Sequence, residues 1–228
     1  GMLPPFHSLG LTGNVALPLC FGLPTAYHPN PTDGAGLNTL CSLWRATVLV
    51  GPPSFLDGML QQANDDELRT VRLGFVGAEA CPRRIYDAFF EKTGGMLFEG
   101  YGITECSPGV CCNRPEDPVQ GTIGYPFPSV EVALASLENP QKRAATGERG
   151  MMLVRGDNVF SGYLAPGGQT PPDPFVNFEG KRWFRTGDLA TADATGRLTF
   201  AGRLGRFVKL GGEMISLPQM EKVLMEYV

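Results

Sequence analysis

Apolar and polar positions alternate in blocks along the first half of the chain. "TVLVG" (Thr47–Gly51) is a short β-branched run and predicts a strand. "FLDGMLQQANDDELR" (Phe55–Arg69) places Phe55, Met59 and Leu60 at helical spacing. "VRLGFVGA" (Val71–Ala78) is strand-like again. "PRRIYDAFFEK" (Pro82–Lys92) opens on a proline suited to a first helical position. It sets Ile85 and Phe89, with Phe90 beside them, on one face. "GGMLFEGYG" (Gly94–Gly102) reads as strand, then turn. This β-α-β-α rhythm predicts a mostly parallel sheet with covering helices. In such sheets ligands gather beyond the carboxyl ends of strands. Both "GAEA" and "GYGITE" stand where a strand has just ended.

Beyond about Val119 the texture changes. "GTIGYPFPSVEVALA", "RGMMLVRGDNVFSGYL", "KRWFRTGDLATAD" and "GRLTFAGR" are short runs punctuated by glycine, proline and aspartate. They predict a small antiparallel sheet or distorted barrel. A last helix is expected from Leu217, with Pro218 near its first turn and Met220, Val223, Leu224 and Tyr227 apolar. The expected fold class is therefore α/β followed by a β-rich part. The expected boundaries are 1–118, 119–203 and 204–228.

Composition narrows the function classes. A hydrophobic fraction of 43% in 228 residues supports a buried core. A net charge of -4 gives no case for nucleic acid or anionic lipid as a general partner. No apolar run approaches the roughly 18 residues of a membrane span. Nothing at the start reads as a signal peptide, so a cytoplasmic protein is expected. The six cysteines (Cys20, Cys41, Cys81, Cys106, Cys111, Cys112) include no C-x-x-C pair, and the histidines are His7 and His28 only. That is poor material for zinc, and reduced thiols are the expectation.

Four stretches carry candidate chemistry, and each also has a plainer reading. In "GAEA" (Gly77–Ala80) a strand-terminal Gly-Ala admits a flat ligand close to the backbone; otherwise it is a strand-to-helix turn with Glu79 in water. In "EGYGITE" (Glu99–Glu105) Tyr101 can stack on a base, Thr104 can donate to a phosphate oxygen and Glu105 can hold magnesium beside substrate phosphates; otherwise it is a tight turn. In "WFRTGDLA" (Trp183–Ala190) Asp188 can accept from both ribose hydroxyls, or can be a turn aspartate. In "GRLGRFVKLGGEMIS" (Gly202–Ser216) Arg203, Arg206 and Lys209 stand among glycines with no acid before Glu213. The plainer reading is a solvated basic hairpin.

In this order the stretches resemble the adenylate-forming superfamily of acyl-CoA synthetases, adenylation domains and luciferases. "PPFHSLGLT" resembles its acyl-pocket segment, "GAEAC" its adenine loop, "EGYGITE" its base-and-magnesium motif, "RTGDLA" its ribose aspartate and "GRLGRFVKLGGEMISL" its inter-domain hinge. Within the superfamily, "PPFHSLGL", "EGYGITECSP" and "RFVKLGGEMISLPQME" are most similar to the acyl-acyl-carrier-protein synthetase part of 2-acylglycerophosphoethanolamine acyltransferases. The resemblance implies ATP and Mg²⁺ as cofactors, a fatty acid as substrate and the thiol of CoA or of acyl-carrier-protein phosphopantetheine as acceptor. It implies a parent enzyme in the cytoplasm or at the inner face of the cell membrane.

Carried over by residue, the resemblance gives a nucleotide set of Gly77, Ala78, Glu79, Tyr101, Gly102, Thr104, Asp188 and Arg203. Tyr101 would stack on adenine, Thr104 would contact the α-phosphate, Asp188 would hold the ribose and Arg203 would contact ribose or phosphate. Glu105 would bind Mg²⁺, His7 would stand at the edge of the acyl pocket, and Lys209 and Gly211 would line the pantetheine path. Thr104, Glu105, Arg203 and Lys209 are the candidates for the chemistry. The superfamily's Ser/Thr/Gly-rich phosphate loop has no counterpart ahead of His7, and its C-terminal lysine none after the hinge. Gly205 stands where the hinge often carries Asp or Lys. The chain is thus expected to be a central fragment, inactive alone. A non-catalytic nucleotide- or acyl-binding module and an amino-acid adenylation domain remain open at this point.

Overall fold

The computed structural model describes residues 1–64, 66–165, 167, 171–210 and 213–216, with side chains as far as Gly205. The chain divides into two compact units, Gly1–Phe127 and Pro128–Val228.

In the first unit the β-branched and aromatic runs form β1 (Val48–Gly51), β2 (Leu73–Val76) and β3 (Met96–Gly102), which pair in parallel. Antiparallel β4 (Gly109–Cys112) and β5 (Tyr125–Pro126) extend the sheet in the order β1-β2-β3-β4-β5. Chain order is α1 (Leu17–Phe21), α2 (Gly34–Trp44), α3 (Pro53–Gln62) and α4 (Arg83–Thr93), after a π-helical segment, Gly10–Ala16. Leu56, Met59 and Leu60 of α3 and Ile85 and Phe89 of α4 bury against Leu49, Val76 and Leu97 of the strands. Replacing one such fully buried leucine by alanine typically costs about 2–5 kcal/mol.

The structure corrects several boundaries. The helix expected through Arg69 stops at Gln62. The polar run after it starts a new turn, in which the Asn64 N–H donates to Glu67 Oε2 at 2.9 Å, and Leu68 and Val71 then fold back, fully buried. Pro82 is the N-cap of α4, with extended backbone, rather than its first residue. Tyr86 takes the buried place beside Ile85 and Phe89, while Phe90 is 67% exposed. The first unit runs past the boundary expected at 118, because β5 still pairs with β4. The helices ahead of β1 were not predicted: α2 buries Leu37 and Cys41, but exposed Leu43 and Trp44 on α2 and Leu19 and Phe21 on α1 blur the apolar side.

The second unit is antiparallel. β6 (Val130–Ser136), β7 (Gly150–Gly156), β9 (Lys181–Ala192) and β10 (Leu198–Arg203) pair in the order β10-β9-β7-β6, and β8 (Phe175–Phe178) pairs with the start of β9. Its core holds Ala133, Met151, Leu153, Phe178, Trp183 and Leu189. The Trp183 Nε1–H donates to the Phe178 carbonyl at 3.0 Å, so the largest buried ring leaves no polar atom orphaned. A two-stranded ribbon follows, β11 (Phe207–Leu210) with β12 (Glu213–Ser216). This is the α/β-then-β-rich fold that the residue pattern predicts. The helix expected from Leu217 lies outside the described residues. Among the described residues no helix is long and apolar enough to cross a membrane.

Candidate functional site

Gly77–Ala80 follows β2, and the Tyr101 turn closes β3, its parallel neighbour. Both therefore lie at the carboxyl end of the parallel strands, where helices leave room for a ligand. Gly77 is constrained by close approach: a Cβ there would sit 3.1 Å from the Gly100 carbonyl oxygen. Gly102 is constrained more tightly, since a Cβ would come within 2.4 Å of the Pro108 carbonyl oxygen. The register slips between Tyr101 and Gly102. Such a bulge re-aims a side chain at a strand end, and Tyr101 stands there half-buried. Ala78 is exposed with φ at +70°, a left-handed backbone that alanine adopts at a cost. Glu79 is not merely in water: the Ser54 hydroxyl on α3 donates to its Oε1 at 3.1 Å.

Thr104 and Glu105 open a 3-10 turn that ends at buried Cys106. Thr104 is exposed and Glu105 half-buried. The Ser8 and Thr104 hydroxyls lie 3.3 Å apart, and the Thr12 hydroxyl donates to the Ser107 carbonyl at 3.4 Å. The His7 segment is thereby brought to the Thr104 turn. The His7 ring itself is exposed, and its Nδ1 accepts the Leu9 N–H at 3.2 Å.

Directly behind the Tyr101 turn stands a residue the sequence reading gave no role. Glu99 is 7% exposed. Its Oε1 accepts from the Tyr86 hydroxyl and from the Gly121 N–H at 2.6 Å, and its Oε2 accepts from the Cys81 N–H at 3.3 Å. Its carbonyl accepts the Asn113 N–H at 3.0 Å. Burial, and then the hydrogen bond to Glu99, push the Tyr86 phenol up, so Tyr86 stays a donor. A glutamate inside the apolar run "MLFEGYG" was the available signal, since a charge at a core position demands partners.

In the second unit Asp188 and Arg203 are partners on the β9–β10 ladder. Arg203 Nε donates to Asp188 Oδ1 at 2.7 Å and Nη2 to Oδ2 at 3.2 Å. The aspartate is 1% exposed and the arginine side chain 60%. The Asp188 N–H donates to the Thr186 hydroxyl at 3.0 Å, and that hydroxyl donates to the Met152 carbonyl at 2.9 Å, which fixes the strand around the carboxylate. Arg203, expected on ribose or phosphate, is held on the ribose candidate itself. Gly205 is exposed in a 3-10 turn, with nothing within 4 Å of where a Cβ would be. The Lys209 backbone belongs to β11; its side chain and Gly211 lie outside the described residues.

No group of three or more His, Cys, Asp or Glu among the described residues could hold a metal ion. Glu105 fits Mg²⁺ where phosphates supply further ligands. A groove of about 370 Å³ opens beside the start of β3, lined by Tyr86, Phe90, Met96, Leu97 and Val119 among others. It contains none of the motif residues, and the Tyr101 turn is at the opposite end of that strand.

Comparison with known proteins agrees with these motifs. Residues 1–164 match the family model described as AMP-binding enzyme. The long-chain-fatty-acid–CoA ligase of Salmonella typhimurium is 28% identical over 228 residues, 99% of this chain and 39% of the relative. Anthranilate CoA ligase AuaEII in complex with anthranoyl-AMP superposes with a TM-score of 0.81 at 27% identity, covering 98% of this chain and 42% of that one. ATP-bound MatB from Rhodopseudomonas palustris gives 0.81 at 29%, covering 97% and 43%. The chain thus spans about 39% of the length of the long-chain ligase it matches. With the fold, the strand-end motifs and the family model in agreement, the chain belongs to the AMP-binding enzyme family.

Proposed function

We propose that this chain is the nucleotide-recognising part of an AMP-forming ligase. That ligase activates a fatty acid as its acyl-adenylate and passes the acyl group to a phosphopantetheine thiol. One observation supports the reading most: Gly77–Ala80 and Tyr101–Glu105 lie at the same end of two adjacent parallel strands. Tyr101 and the Gly77–Glu79 backbone, with Gly102 admitting the turn, take the adenine; Thr104 takes the α-phosphate; Glu105 shares Mg²⁺ with the phosphates. Of the second-unit residues, Asp188 takes the ribose hydroxyls, Arg203 ribose or phosphate, and Lys209 the pantetheine path.

A fatty acid as substrate is supported by the Salmonella relative's name and by "PPFHSLGL", with His7 at the pocket edge. The acceptor thiol is that of acyl-carrier protein or of CoA: "EGYGITECSP" and "RFVKLGGEMISLPQME" support the first, and the Salmonella relative's name the second. Membrane association of the parent is supported by the resemblance to 2-acylglycerophosphoethanolamine acyltransferases, which load a fatty acid onto a carrier protein for lysophospholipid reacylation. The exposed Phe6, Leu19, Phe21, Leu43 and Trp44 support a working form in which further polypeptide covers the first unit.

Titration calorimetry with two non-hydrolysable adenylates tests the substrate class. A fatty-acyl sulfamoyl-adenosine should bind the chain more tightly than AMP, and an aminoacyl sulfamoyl-adenosine should not. The reverse preference would favour an amino-acid adenylation domain and contradict the fatty-acid reading.

A further inference from the structure

We propose that Glu99 is the positioning residue of the base site: an ionised, buried carboxylate that locks the Gly77–Ala80 loop to the Tyr101 turn. The inference rests on the reading of that loop as the adenine loop, and it assigns a role to a side chain that touches no ligand.

Glu99 stands two residues before Tyr101 on β3. Three elements that are distant in sequence donate to its two oxygens. The Cys81 N–H comes from the residue that closes the Gly77–Ala80 loop, the Tyr86 hydroxyl from α4, and the Gly121 N–H from the loop before β5. Asn113 completes the clamp. Its N–H and Nδ2 both donate to the Glu99 carbonyl, while its Oδ1 accepts the Val119 N–H at 3.1 Å and the Thr122 hydroxyl at 3.1 Å. Every group facing the carboxylate in these bonds is a donor. An ionised carboxylate, which is acceptor-only, is the side chain that satisfies such a set. The loop needs an anchor, because Ala78 holds a left-handed backbone at φ +70°, and strain of that kind persists only where the surroundings over-determine it.

The geometry also says which bond a neutral isostere would lose. A glutamine has one acceptor oxygen. Placed at the Oε1 position it would keep both Tyr86 and Gly121. Its NH₂ would then face the Cys81 N–H, donor against donor, and the released end would be that of the adenine loop. The 119–122 segment would stay held. Tyr86→Phe, in contrast, removes one donor and leaves both backbone bonds to Glu99 in place.

The test is made on the 228-residue chain, by hydrogen exchange with mass spectrometry and by calorimetric titration of AMP, on wild type, Glu99→Gln and Tyr86→Phe. In Glu99→Gln, exchange should rise at least about tenfold in residues 77–82, with 119–122 and α3 unchanged. AMP affinity should fall about tenfold or more. A general destabilisation would instead raise exchange throughout the sheet. Tyr86→Phe, which keeps the Cys81 bond, should leave exchange of residues 77–82 within about twofold of wild type. It keeps the proposal testable should Glu99→Gln not fold, because a Tyr86→Phe chain in which 77–82 loosens by about tenfold or more, while the rest of the sheet does not, overturns it. Unchanged exchange at 77–82, or unchanged AMP affinity, in a folded Glu99→Gln chain overturns it too. A wild-type chain that binds no AMP overturns the adenine-loop reading itself, an outcome seen before any variant is made.

Discussion

Arg203 grips both carboxylate oxygens of Asp188 across one rung of the β9–β10 ladder, at 2.7 and 3.2 Å. The pair is lopsided: the aspartate is 1% exposed and the arginine side chain 60%. Removing the arginine takes two charge-assisted hydrogen bonds from a buried carboxylate, whereas removing the aspartate takes them from a guanidinium that already faces water. Arg203→Ala should therefore cost more stability than Asp188→Ala. Hydrogen bonds to charged groups contribute roughly 1.5–3 kcal/mol each, and the exposure of Arg203 argues for the lower end of about 1–2 kcal/mol in all. Nucleotide use should show the reverse order, with Asp188→Ala weakening AMP binding by at least about tenfold. Urea unfolding and AMP titration of the two variants check both orders.

Ala78 should behave as a strained loop residue. A left-handed conformation costs a non-glycine residue about 1–2 kcal/mol, and β-branched residues tolerate it least. Ala78→Val should lower the melting temperature by several degrees and weaken AMP binding. Ala78→Gly should be neutral or stabilising, since relief of strain is offset by greater freedom of the unfolded chain. Thermal melts of both variants decide this, and a tolerated valine would contradict it.

The parallel strands, α4 and the two strand-end motifs were legible because each leaves a local mark. β-branched runs, an apolar stripe at Ile85 and Phe89, and glycines with no reason to sit in a packed strand can all be read without tertiary information. What escaped depends on contacts distant in sequence. The Asp188–Arg203 pair needs the β9–β10 register, which a bulge between Phe200 and Gly202 shifts. The Glu99 clamp needs Cys81, Tyr86 and Gly121 together, and no spacing rule joins them. The stop of α3 at Gln62 follows from a local polar turn that a helical reading of Phe55–Arg69 overran.

Burial pushes the thiols of Cys41 and Cys112 from 9.0 up to about 11, and those of Cys81 and Cys106 up to about 12. The unfolded chain gives up these protons first. Their contribution is therefore full below pH 9 and is lost as pH climbs toward 11–12, so stability should fall with rising pH in that window. Melts between pH 8 and 10.5 should show the fall, with a shallower slope in Cys81→Ala. Only Cys20 is exposed. A thiol reagent at pH 8 should therefore find one fast site in the folded chain, and a second fast thiol would contradict the assignment.

Turnover should be absent in the chain by itself. Attack of a carboxylate on the α-phosphate brings like charges together, and donors and cations must stabilise the transferring group. In the proposed site Thr104 and a Glu105-bound Mg²⁺ answer only part of that need, and the chain spans about 39% of the length of the ligase it matches. Losing one well-placed donor costs about a hundred- to a thousandfold in rate. A hydroxamate assay with fatty acid and Mg·ATP should stay at background. Calorimetry should find no micromolar Mg²⁺ affinity without nucleotide, because no group of three or more His, Cys, Asp or Glu among the described residues could hold the ion and phosphates must supply the further ligands. Turnover like that of an intact ligase would contradict the first expectation, and tight Mg²⁺ binding the second.

The central claim is that the Gly77–Ala80 loop and the Tyr101 turn recognise adenine. Calorimetric titration of the wild-type chain with AMP and, in parallel, with GMP tests it most directly. Base stacking on an aromatic ring is tolerant of which base it meets, so discrimination has to come from the loop backbone. The account predicts saturable AMP binding, with GMP at least about tenfold weaker and AMP binding lost in Tyr101→Ala. Equal affinity for the two nucleotides, or no saturable AMP binding by a folded chain, would contradict it.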